Sequence, residues 1–148
     1  MASFIDKVKG TFTPYAVAAS NKANKKAEEV YPANEQHNAR GDAYRHLVWQ
    51  ALVTRNKSKD YAERVGNIHE WPIPVIGAGF DQPSEEKQMD LYNNSLGRSI
   101  GLKAKSEEDI YRMAKEAIDK GKAKYIPVEE LDYRALIERM SSEQESPY

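Results

Sequence analysis

An all-α single domain, an orthogonal bundle of about five to six helices, is what this sequence predicts. Apolar residues recur at three-and-four spacing in segment after segment, and Pro32, Pro72, Pro83 and Pro127 fall between the segments. No stretch of alternating apolar and polar residues reads as a strand, with Lys124–Tyr125–Ile126 the nearest approach. At 148 residues, with 40% apolar and 30% charged side chains, the chain has the length and balance of one globular unit.

Thr13–Pro14 is a capping hydroxyl followed by a proline suited to the first helical position, and the helix it opens runs to Val30, stopped by Pro32. Its alanines (Ala16, Ala18, Ala19) precede a lysine-rich second half, so packing at one end only is expected. The second helix spans Ala39–Arg55. Ala43, Leu47, Ala51, Val48 and Leu52 form its buried stripe, widened by Trp49 and Val53, which makes it the expected central helix. A third starts near Ser58, puts Tyr61, Ala62, Val65, Ile68 and His69 on one face, and ends after Glu70 before Pro72.

The segment from Trp71 to Gln82 is apolar and long for a connection, a pattern shared by loops that flank sites and loops that pack on cores. Asp81–Gln82–Pro83–Ser84 opens a fourth helix whose expected inward stripe is Met89, Tyr92, Leu96 and Ile100. Gly97 and Gly101 there signal a close helix approach or a stop. Ser106 caps a fifth helix with Ile110, Met113, Ala114, Ala117 and Ile118 on one face, closed by Gly121. A last helix, Val128–Met140, should turn Leu131, Ala135 and Leu136 inward. The domain then spans residues 1–140, with a frayed tail over 141–148.

Composition removes several classes of function. The chain has no cysteine, which excludes disulfides, thiolate metal sites and cysteine nucleophiles. A net charge of -1 argues against general nucleic-acid binding; the clusters Lys22, Lys25, Lys26 and Lys120, Lys122, Lys124 read as solvated faces. The first residues lack the apolar core of a Sec signal peptide, and no run approaches the roughly 18 apolar residues of a transmembrane helix. Host cytoplasm or a phage virion is the compartment this predicts.

Candidate chemistry rests on polar groups set within apolar stripes. His46 follows Asp42 by one turn, which points both side chains the same way, while His69 and Glu70 end the third helix. Asp90 lies in the fourth helix, with Asn93 and Asn94 one turn on and Arg98 one turn beyond Asn94. Asp42, His46, His69 and Asp90 together would suit Zn, Mn or Fe, with Glu70 and the two histidines doing acid–base work. Arg45, Asn93, Asn94 and Arg98 are the candidates for binding substrate, Arg98 with Asn94 suiting an anionic or carbonyl group. A metal-free site is also coherent on these residues, with Asp42 orienting His46 and His69 paired with Glu70; the alternative is a buried network that ties three helices together. His37 lies in the polar segment Asn34–Asn38 and reads as a surface residue outside the ligand set.

Two motifs, GDAYRHLVWQAL running on to GNIHE, and EKQMDLYNNSLGRSIG, occur together. Over residues 39–101 the pairing resembles an uncharacterised helical domain family of phage proteins and of the C-terminal ends of large bacterial surface or toxin-like repeat proteins. The resemblance implies a phage- or envelope-associated effector, a hydrolase with an unknown substrate, or an accessory protein that binds a protein partner through the Trp71–Phe80 loop. The order His46, His69–Glu70, Asp90 is also similar to the helical HD-type metal phosphohydrolases. It departs from them in having Glu70 where that family has Asp, and no later histidine.

Overall fold

The computed structural model describes residues 14–70 and 84–144, with the side chains of His69 and Glu70 outside that description. It is an all-α single domain with six α-helices among the described residues: α1 (Pro14–Val30), α2 (Arg40–Asn56), α3 (Lys59–Glu70), α4 (Glu85–Lys103), α5 (Glu107–Asp119) and α6 (Val128–Gln144). A short 3₁₀ turn, Ala33–Glu35, links α1 to α2. Thr13, the segment Trp71–Gln82 and the opening residues Asp81–Pro83 lie outside the described residues.

Helix starts follow their capping chemistry. Ser84 and Ser106 accept hydrogen bonds from the backbone N–H groups of Lys87 and Asp109, and Ser58 does the same for Tyr61. α5 ends as its glycine dictates: Gly121 adopts φ 71°, a left-handed conformation open to residues without a Cβ, and Lys122 N–H returns to the Ala117 carbonyl at 2.8 Å.

α2 is the central helix. It contacts α1, α3, α4 and α5, and all seven of its expected apolar residues are buried. α1 packs along its whole length, not at one end. Ala16, Ala19, Ala23 and Ala27 recur at helical spacing and are all buried, so the lysine-rich half still presents a small-residue face to α2. Trp49 Nε1 donates to the Ala16 carbonyl at 3.0 Å and fixes the crossing.

The expected stripe of α4 is turned about its axis. Tyr92 is 42% exposed and Leu96 is half-buried, while Asn93, Asn94, Gly97 and Gly101 join Met89 and Ile100 in the buried face. The glycines are the reason. A Cβ at Gly97 would lie 2.7 Å from the Leu47 carbonyl oxygen, and one at Gly101 2.6 Å from that of Ala51. Backbone approach to α2 is thus set by the glycine edge, and the larger aromatic is left outside. The glycines do not stop the helix, which continues to Lys103.

Two further expectations, for α3 and α6, are corrected, and the sequence's nearest approach to a strand forms none. Ile68 is 39% exposed, because the buried edge of α3 is Ala62, Val65 and Gly66. Lys124–Ile126 is not a strand; its backbone pairs with side-chain and loop groups of Asn93 and Asn38 instead. α6 buries none of its residues, so Leu131, Ala135 and Leu136 do not enter the core, and the helix runs through residues 141–144, where fraying was expected.

Candidate metal centre

α2 carries four buried polar side chains one turn apart, Asp42, His46, Gln50 and Thr54. α4 answers with Asp90, Asn94 and Arg98 at the same interval. The two rows meet as a ladder. His46 Nδ1 lies 2.9 Å from Asn94 Oδ1, His46 Nε2 lies 3.3 Å from Asp90 Oδ1 and 3.6 Å from Asp42 Oδ1, and Arg98 Nη1 donates to Gln50 Oε1 at 2.8 Å.

Asp42, His46 and Asp90 therefore converge, each offering a ligand atom within 4.8 Å of the others. For bonds of ~2.1 Å, neighbouring ligands of a tetrahedral ion sit ~3.4 Å apart. The separations of 3.3 and 3.6 Å straddle that value. Asn94 Oδ1 can only accept, so His46 Nδ1 carries the proton there. Nε2 is left facing two carboxylates. Such an arrangement is satisfied by a proton on Nε2 or by a cation beside it, and a fixed Nδ1–H is the usual companion of a metal-bound imidazole.

Electrostatics add to this. Burial, then the carboxylates of Asp42 and Glu86, push the Asp90 carboxyl up to about 7, against the opposing pull of Arg45 and His37. Asp42 has partners of its own. Its Oδ2 accepts the Asn38 N–H at 3.0 Å, and Arg45 donates to its Oδ1. Asn38 has φ 58°, an uncommon conformation for a residue with a side chain, and its carbonyl also receives the Ile126 N–H at 2.8 Å. The turn that carries Asp42's cap is thereby pinned to the segment before α6.

Of the residues expected at the site, Asp42, His46 and Asp90 come together, and Arg45 stands beside them with its side chain one-third exposed. Asn94 holds the imidazole. Asn93 points elsewhere: it donates to the Lys124 carbonyl at 2.7 Å and accepts the Lys124 N–H at 2.9 Å, copying the pairing of a neighbouring strand. Arg98 lies one turn beyond Asn94 on the Gln50 rung and makes no ion pair with a described residue. The side chains of His69 and Glu70 lie outside the described residues.

Two further residues were missed from the sequence. Gln50 and Thr54 extend the spacing of Asp42 and His46 by two turns, a signal that was present and unread. His37 is exposed yet close enough to act on Asp90, and Glu86 joins it there; Glu86 precedes Asp90 by one turn, a spacing equally unread, whereas nothing in linear spacing relates His37 to Asp90.

The fold and this cluster define an all-α domain with a largely buried Asp–His–Asp group between its two best-packed helices. A family described as a domain of unknown function (DUF6973) matches residues 8–122, well over half of the chain, and the chain belongs to that family. No solved structure matches the chain. No helix among the described residues is long and apolar enough to cross a membrane.

Proposed function

We propose that the protein is a metal-assisted hydrolase, with Asp42, His46 and Asp90 holding a divalent Zn, Mn or Fe ion and His69 completing the shell. The observation that carries the reading is the state of His46. Its Nδ1 is committed to Asn94, and its Nε2 lies 3.3 Å from Asp90 and 3.6 Å from Asp42. An ion held there would activate a water and polarise the bond to be cleaved. Glu70, adjacent to His69 in sequence, is the proposed base, and Arg45 the proposed contact for a negatively charged substrate. Asn93, Asn94 and Arg98 are held by Lys124, His46 and Gln50, so they support the scaffold of the site. The phage or bacterial-envelope setting rests on the resemblance of the two motifs.

A second reading, a non-enzymatic accessory protein with a structural polar cluster, is favoured by one observation: both oxygens of Asp42 already have partners in Asn38 and Arg45. Chelator-stripped protein reloaded with Zn, Mn or Mg and assayed on p-nitrophenyl phosphates and carboxylic esters separates the two. The hydrolase reading requires turnover that returns with metal and is lost in Glu70→Gln. Stoichiometric metal without turnover would keep the centre and discard the hydrolase; no metal and no turnover would leave the accessory protein.

A further inference from the structure

α6 begins at Val128, after the residues matched by the family, and contributes nothing to the core. Yet it is not a polar helix. Tyr133, Leu136, Ile137 and Met140 recur at the spacing of one helical stripe, and all four are exposed, from 44% for Leu136 and Ile137 to 63% for Tyr133. Five acidic and two basic residues make the rest of the helix strongly acidic, with Asp132 and Glu143 bordering the stripe. An exposed apolar stripe of this kind has the form of a helix face made to lie in a groove.

The same chain carries a groove of opposite character. Between α4 and α5 lies a cavity of about 150 Å³ floored by Leu96, Ile100 and Met113. That volume suits one or two aliphatic side chains. Lys103, Lys120 and Lys122 stand around it, and none of them forms an ion pair with a described residue, whereas Glu116, the one acidic residue of its lining, is paired with Arg112. Helix C-terminal dipoles account for lysines at these chain positions, and they leave the ammonium groups open to a further acidic partner.

The two surfaces do not meet within one molecule. Arg134 ties α6 to Glu85 in the first turn of α4, at 2.9 Å. The groove lies at the other end of α4, ~21 Å along its axis at 1.5 Å per residue, whereas Met140 is only ~9 Å beyond Arg134. We propose that α6 docks in the α4–α5 groove of a second copy of this chain, its apolar stripe over Leu96 and Met113 and its acidic border against the three lysines. Exchange in both directions closes a two-fold dimer and leaves no unpaired surface to propagate.

Sedimentation velocity of the full chain over a concentration series tests this, first at low and then at high salt. A dimer weakened by salt is expected. Ile137→Asp, at an exposed position, should weaken it by ~tenfold or more while the far-UV circular dichroism of the chain stays that of wild type. Reversing the groove (Lys103→Glu with Lys122→Glu) or the helix border (Asp132→Lys with Glu143→Lys) should each give monomer, and mixing the two reversed proteins should restore dimer, because both of its docks regain opposite charges. A wild-type chain that stays monomeric at high concentration overturns the proposal. So does a dimer that survives both reversals, since it would use another face.

Discussion

Replacing Asp90 with Asn puts a number on the strain at the centre. In the folded chain this carboxyl is pushed from 3.8 up to about 7, chiefly by burial and by Asp42. At about 1.4 kcal/mol for each factor of ten in proton affinity, that displacement corresponds to ~4 kcal/mol. The side chain is 16% exposed, and solvent screening reduces the share expected in stability to ~2 kcal/mol. The folded carboxyl holds its proton more tightly than the unfolded one. Its contribution is therefore fully present below the unfolded value near 4 and is lost as the pH rises through about 7. Chelator-stripped wild type should lose stability between pH 5 and 8, and Asp90→Asn, with nothing to ionise, should lose less. At pH 8 the variant should melt ~4–8 °C above wild type, taking 2–4 °C per kcal/mol for a chain of this size. Added metal should reverse the order, since only wild type keeps the ligand. Differential scanning calorimetry at both pH values, with and without metal, reads all of this. A stripped variant that melts below wild type at pH 8 would refute the reasoning: Asp90 would then be a net stabilising partner of a His46 imidazolium.

Three other outcomes follow from the same geometry. His46→Ala should abolish metal binding outright, and Asn94→Leu should weaken it 10–100-fold with the ligands intact, because Asn94 fixes the protonated ring nitrogen; isothermal titration measures both. Gly97→Ala should destabilise the fold by ~1–3 kcal/mol although alanine is the better helix former, because the new Cβ meets the Leu47 carbonyl at 2.7 Å; a rise in the denaturation midpoint would show that the helices are not so close. Metal affinity of the wild type should fall steeply as the pH drops below about 7, where protons hold Asp90 against the ion, a dependence that titration at pH 6 and pH 8 reads directly.

Much of this architecture was legible in the residues. Apolar spacing located α2 and its buried residues, the Asp81–Ser84 segment the start of α4 and the Ser106 cap that of α5, because these signals are local. Rotation about a helix axis is not local. Tyr92 and Leu96 outrank Asn93 and Asn94 in hydrophobicity, yet the asparagines are inside, since the edge that can approach α2 is the one with Gly97 and Gly101. Exposure of α6 was equally out of reach, because its stripe has the pattern of a core helix and only the tertiary structure shows that no described residue buries it. At the centre, the pairing of Asp42 with His46 followed from one-turn spacing. Their meeting with Asp90 depends on the register between α2 and α4, which those glycines set.

Whether His46 is held as a metal-ligand imidazole is the central question, and the chain's three histidines make its ring nitrogens observable. Long-range ¹⁵N–¹H spectra of the side chains, assigned with His46→Ala, report which ring nitrogen carries a proton and which binds metal. With zinc bound, His46 should keep its proton on Nδ1 toward Asn94 while Nε2 moves to the shift of a coordinated nitrogen, and His37 should not move with it. An imidazolium at His46, protonated on both nitrogens at pH 8 and unchanged by saturating zinc, would contradict the account.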